Sequence, residues 1–173
     1  MYALRPTRPY LLAWAPNVRG ENGTIIRLNG GIPIPDDNMR GLATCMKAIG
    51  SMLDDGGWLH IYAEGSMWEY YAPIRPFKSG VGYFACRYEK PVLPMAFSFR
   101  RPNWVRRTIF RQIACLTLTI GEPLHIDSAL SGPEQQEDIT RRAHEAVCRL
   151  AGWEEGENPY PPIFHNNKRI SDG

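Results

Sequence analysis

The stretch Trp58-Leu59-His60-Ile61-Tyr62-Ala63-Glu64-Gly65, followed by Arg75-Pro76-Phe77-Lys78-Ser79-Gly80, decides how this chain is read. Its first six residues are apolar apart from one histidine, and their length and aromatic and β-branched content suit a short buried strand. Glu64 and Gly65 then fall at the strand's carboxyl end, and Lys78, Ser79 and Gly80 open a helix expected over residues 78–89. In open α/β sheets, ligands gather beyond the carboxyl ends of the strands. A helix start offers unbonded N–H groups and the positive end of a dipole, so it favours anions. Arg75 and Lys78 add formal positive charge, and an arginine can grip a phosphate with two parallel bonds. The pattern points to a phosphate-bearing ligand, although by local pattern alone the two cations read slightly better as solvated surface residues. Lys78-Ser79-Gly80-Val81-Gly82 lacks the spacing of a P-loop.

Working outward, Ile25, Ile26 and Leu28 suggest a short strand, followed by a turn-rich run over residues 29–35. Asp37 or Asn38 can cap a helix whose apolar face is Met39, Leu42, Ala43, Met46, Ile49, Met52 and Leu53, ended by Gly56-Gly57. Downstream, residues 92–99 and 113–120 read as strands on either side of an arginine-rich segment. Ser131-Gly132-Pro133-Glu134 has the form of a capping box with proline at the helix start. Ile139, Ala143, Ala146, Val147 and Leu150 then line one helical face, closed by Gly152. Strand, helix, strand, helix, strand is an order that suits parallel pairing. The fold class expected is α/β, a mostly parallel sheet with flanking helices. Residues 1–23 are expected to be an irregular lead-in, 24–152 the domain, and 153–173 an irregular tail.

The composition agrees with this reading. The chain has 173 residues, 43% of them apolar, and a formal charge of +2, which suits one globular domain and argues against a dedicated nucleic-acid binder. No apolar run reaches the ~18–20 residues of a membrane-spanning helix, and residues 1–20 lack a signal peptide's pattern, so the chain is not expected to be secreted. Cys45, Cys86, Cys115 and Cys148 form no C-x-x-C and read as buried free thiols in a reducing cytosol. No metal-ligand spacing stands out.

Four blocks now carry a resemblance. Gly31-Ile32-Pro33-Ile34, Glu64-Gly65-Ser66, Phe77-Lys78-Ser79-Gly80 and Pro91-Val92-Leu93-Pro94 occur in the order and at the spacings of the 1-acyl-sn-glycerol-3-phosphate acyltransferases of phospholipid synthesis. The chain resembles that family over roughly residues 24–127, as an incomplete domain comprising its C-terminal two-thirds. The resemblance implies transfer of a fatty acyl group from acyl-CoA or acyl carrier protein to lysophosphatidic acid, with no bound cofactor. It implies that Glu64, Gly65, Ser66, Arg75, Lys78 and Gly80 shape the glycerol-phosphate pocket.

The departures from the family pattern matter. Its catalytic signature is a histidine, four intervening residues and an aspartate, the histidine acting as general base. None of His60, His125, His144 and His165 has an aspartate five positions on. No catalytic residue is therefore assigned. The chain alone is expected to be inactive, with the dyad on a separate N-terminal fragment of a split or truncated gene. Ala63 and Met67 replace the family's usual proline and arginine. His60 stands about 13 Å before the ligand end of its strand, which suits a core histidine better than a base. His144 is expected on a solvated helix face.

Arg100, Arg101, Arg106, Arg107 and Arg111 share one segment with Trp104, and no acidic residue occurs between Lys90 and Gly121. Such a mixture suits an anionic membrane surface, which would place the protein peripherally on the inner, cytoplasmic face. A solvated loop with Trp104 packed on the core is an equal reading, and nucleic acid ranks third. The alternative function is a non-catalytic lipid- or phosphate-binding module at that surface.

Overall fold

The computed structural model describes residues 9–14, 23–35, 38–65, 73–100, 103–104, 108–109 and 115–152. Two units, Met1–Tyr62 and Ala63–Gly173, make up the chain.

The first unit contains β1 (Pro9–Trp14), α1 (Gly23–Leu28), β2 (Gly31–Ile34), α2 (Met39–Asp54) and β3 (Trp58–His60). Its three strands form a parallel sheet in the order β2-β1-β3, with Leu11 opposite both Gly31 and His60. Three expectations are corrected here. The segment expected to be an irregular lead-in holds β1, the central strand. Its prolines obscured the pattern, but Pro9 is the first strand residue, where a missing N–H costs the ladder least. The expected strand at Ile25, Ile26 and Leu28 is helix α1, and the expected turn at Gly31-Ile32-Pro33-Ile34 is strand β2. Parallel neighbours cannot be joined by a tight turn. The chain between β1 and β2 must cross over, and that constraint overrides the weak strand preference of two isoleucines.

Helix α2 forms over the stretch its periodicity predicts, but Met39 and Ala43 of the expected apolar face are exposed, and Cys45, outside that face, is buried. Asn38 caps it, its Oδ1 accepting from the N–H groups of Arg40 at 3.0 Å and Gly41 at 3.2 Å. Cys45 and Ile49 are its buried positions, and the Cys45 thiol donates to the Pro33 carbonyl of β2.

The second unit contains α3 (Gly80–Tyr88), β4 (Met95–Arg100), β5 (Cys115–Ile120) and α4 (Gly132–Ala151). Strands β4 and β5 pair antiparallel, Met95 opposite Ile120 and Arg100 opposite Cys115. The architecture is α/β, with a three-stranded parallel sheet and four helices among the described residues; β4, expected to pair in parallel, has β5 as its described ladder partner. The α4 face expected from sequence is buried at Ile139, Ala143, Ala146 and Val147. Ile74, Ala96, Val147 and Cys148 form a core cluster, with Phe77, Leu150 and Ala151 packed against it. Gly152 ends α4 in the left-handed conformation, as expected, but the Ser131 side chain makes no capping bond. All four cysteines are free, and Cys86 is only half-buried.

Helices α3 and α4 meet at Gly82. Its N–H donates to Thr140 Oγ1 at 3.1 Å, and the Thr140 hydroxyl donates to the Gln136 carbonyl at 2.7 Å. A Cβ at Gly82 would run into that carbonyl oxygen and stand 2.5 Å from Thr140 Oγ1. Gly82→Ala gains about 1 kcal/mol of helix propensity. Overpacking against backbone costs about 1–3 kcal/mol, and the hydrogen bond is strained as well. The expected outcome is a net loss of about 1–2 kcal/mol, read as a lower urea midpoint at unchanged slope. An unchanged or raised midpoint would show that the helices do not touch there.

Candidate functional site

Past β3 the chain turns at Ala63-Glu64-Gly65, and the segment before α3 returns to the same place. The Lys78 N–H donates to the Ala63 carbonyl at 2.9 Å. Gly65 has φ +73°, a left-handed conformation that side-chain-bearing residues rarely adopt. The Lys78 side chain lies against its open face: a Cβ there would stand 2.6 Å from Lys78 Cε and 2.8 Å from Nζ. Glycine at this position thus serves the turn and makes room for the lysine. Lys78 and Gly65 are both exposed, and the space around Gly80 is open. The structure therefore brings together the glutamate-glycine turn and the lysine that the sequence reading joined.

Arg75 is not a solvated surface cation. It is 1% exposed. Its Nε donates to Glu64 Oε2 at 2.6 Å, and its backbone N–H reaches the same oxygen at 3.4 Å. The Glu64 side chain keeps 28% of its surface exposed. Its second oxygen, Oε1, accepts no hydrogen bond from any described residue. Among the described residues, the ion pair leaves the corner with one outward-facing cation, Lys78. At the start of α3, Ser79 stands at the cap position without a side-chain bond, and the Gly82 N–H is already given to Thr140. Ser66 lies outside the described residues.

The histidines are dispersed. His60 is half-buried on β3, edge-on to Tyr62 with ring centroids 4.8 Å apart, and burial holds its imidazole below the usual value. His125 is exposed, and His165 lies outside the described residues. His144 corrects an expectation: it is half-buried, edge-on to Phe77 at 5.1 Å, with Nε2 3.7 Å from the Cys148 thiol. The residue has Phe77 packed across it, so a helix face that reads as polar in sequence is partly covered. His144 borders an open groove of about 470 Å³ between the Pro76, Phe77 and Ser79 segment and the Gln136, Thr140 and Arg141 side of α4. Glu64, Gly65 and Lys78 are not among the groove's walls. No group of three or more potential metal ligands occurs among the described residues.

Of the expected membrane-facing residues, Trp104 is described and is 75% exposed, so it is not packed on the core. Arg101, Arg106, Arg107 and Arg111 lie outside the described residues, as does the side chain of Arg100 at the end of β4. The β4–β5 ribbon has two unlike faces. Ala96 and Cys115 are buried, whereas Phe97, Leu116, Leu118 and Ile120 are exposed, with Phe97 directly opposite Leu118. No helix among the described residues is long and apolar enough to cross a membrane.

Sequence reasoning missed that Arg75 turns inward to Glu64. The sequence between the two is polar and aromatic with no periodicity, so nothing local reveals the pairing.

A family model described as Acyltransferase matches residues 2–98, just over half of the chain. Among solved structures, the chain is similar to the 1-acyl-sn-glycerophosphate (LPA) acyltransferase PlsC from Thermotoga maritima, with a TM-score of 0.53 and 17% sequence identity. The likeness covers 84% of this chain and 56% of that one, so the chain spans little more than half the length of that relative. At this identity the likeness speaks for the fold. No curated protein sequence matches.

Removing one partner of a buried ion pair costs about 3–5 kcal/mol. Glu64 remains partly exposed, which lowers the figure for Glu64→Ala to about 2–3 kcal/mol. The loss is expected in equilibrium denaturation. A change under about 0.5 kcal/mol would mean that Arg75 is satisfied without this carboxylate.

Proposed function

Because this chain belongs to the acyltransferase family, we propose that the corner formed by Glu64, Gly65 and Lys78 holds the glycerol-phosphate end of a lysophosphatidic acid acceptor. The observation that carries the reading is the contact between Lys78 and Gly65 beside the paired Glu64. An exposed ammonium on a glycine turn can meet a phosphate without a side chain in the way. The open Glu64 oxygen can accept from a glycerol hydroxyl. The reaction of this reading moves a fatty acyl group from a thioester of CoA or acyl carrier protein to that hydroxyl.

A second reading, a lipid- or phosphate-binding module without catalysis, is favoured by one fact: no histidine in the 173 residues has an aspartate five positions on. Both readings expect the chain to bind lysophosphatidic acid. A charge-assisted contact contributes about 1.5–3 kcal/mol, so Lys78→Ala should weaken binding by tenfold or more, measured by calorimetry. The chain alone is expected to show no transfer from acyl-CoA. Turnover that disappears in Lys78→Ala would set the second reading aside and place the general base among this chain's own residues.

The partner surface of this reading is an anionic, cytoplasm-facing membrane. Its support is the exposed ribbon face of Phe97, Leu116, Leu118 and Ile120, the exposed Trp104 and Ile109, and the acid-free segment with five arginines. Basic residues contribute about 1 kcal/mol each near such a surface. The chain should float with anionic but not zwitterionic vesicles, and raised salt should release it. Trp104→Ala should reduce the bound fraction. Indifference to lipid charge and salt would remove the membrane from the proposal.

A further inference from the structure

Arg75-Pro76-Phe77-Lys78 holds two cations, and the structure gives them opposite surroundings. Lys78 is exposed and lies on Gly65, whereas Arg75 is 1% exposed and ends on Glu64. A guanidinium so enclosed is not presented to a phosphate arriving from solvent. Its described side-chain contact is with the Glu64 carboxylate. The Arg75 side-chain Nε and backbone N–H both converge on Oε2, at 2.6 and 3.4 Å, which anchors that oxygen and leaves Oε1 with no donor among the described residues. Arginine suits this task because its planar, always charged guanidinium holds the Nε–H in one direction, which the rotating donors of a lysine ammonium do not. Pro76, between the two cations, stiffens the backbone by fixing its own φ.

We infer that Arg75 is a positioning residue that clamps Glu64 so that Oε1 reads the hydroxyl of a glycerol phosphate, and that Lys78, not Arg75, meets the phosphate. The inference rests on the acceptor-site reading above. It divides recognition between two groups: Lys78 gives affinity for any alkyl phosphate, and the Arg75–Glu64 pair gives preference for one bearing a hydroxyl.

Two probes separate these contributions on the full chain: sn-glycerol 3-phosphate, and propyl phosphate, which has the same anion without hydroxyls. Titration calorimetry of the wild type is expected to favour glycerol phosphate by about tenfold, the scale of one hydrogen bond to a charged acceptor. Arg75→Met should bring the ratio near one while leaving the affinity for propyl phosphate within about twofold. Lys78→Ala should weaken both ligands and keep the ratio. Where Arg75→Met does not fold, Arg75→Lys keeps the buried charge but loses the directed Nε–H, and the ratio should still fall by threefold or more. Equal weakening of both ligands in the Arg75 variants would make Arg75 a phosphate contact and overturn the inference. An unchanged ratio would make it a purely structural residue, with the same result. Should the wild type bind neither probe, the acceptor-site reading fails first and takes this inference with it; binding with the ratio intact in the variants defeats this inference alone.

Discussion

A guanidinium taken out of water stays there only if a charged acceptor is held against it, and Arg75 has Glu64 at 2.6 Å. That pairing joins residues 11 positions apart in the chain. The backbone bond from Lys78 to Ala63 closes the same corner a second time. With both in place, Gly65 and Lys78 have little choice of position. The left-handed turn directs the glycine's bare face toward the lysine stem, and the lysine's charge stays in water.

The corner stands on a packed base. Ile74, next to Arg75, belongs to the core cluster with Ala96, Val147 and Cys148, and Phe77 packs against that cluster. The segment from Ile74 to Lys78 therefore passes from core to ion pair to solvent within a few residues. Beyond it, α3 lies so close to α4 at Gly82 that a single added carbon would strike backbone. Contacts of this kind resist small displacements, because a packed interior deforms poorly. Side chains on such a corner keep their direction when the elements beneath are held this way.

Charge is distributed around the corner with some economy. The buried cation is neutralised by Glu64, and the free cation is the one nearest the turn. Arg141 and Arg142, on α4, are taken up by Asp138 and Glu145 at 2.7–2.8 Å. Such exposed pairs contribute little to stability. They do occupy Arg141, the cation on the α4 side of the groove beside His144. Among the described residues, Lys78 therefore stands apart as the exposed positive group of the corner.

The sequence by itself determined the amphipathic helices, the strands of the second unit and the blocks that identify the family. Helix α2 is legible in its 3.6-residue apolar spacing and its Asn38 cap, and α4 in the same spacing and in Gly152. The strand β5 is legible in its alternation. These signals are local, and each is repeated over several residues. The strand β1 and the exchange of strand for helix at Ile25–Leu28 were not legible, because sheet membership depends on partners distant in the chain and on the need for a crossover between parallel neighbours. The inward turn of Arg75 was hidden for the same reason. Whether a cation faces water or a carboxylate depends on what folds over it, and only the tertiary structure brings Glu64 within reach.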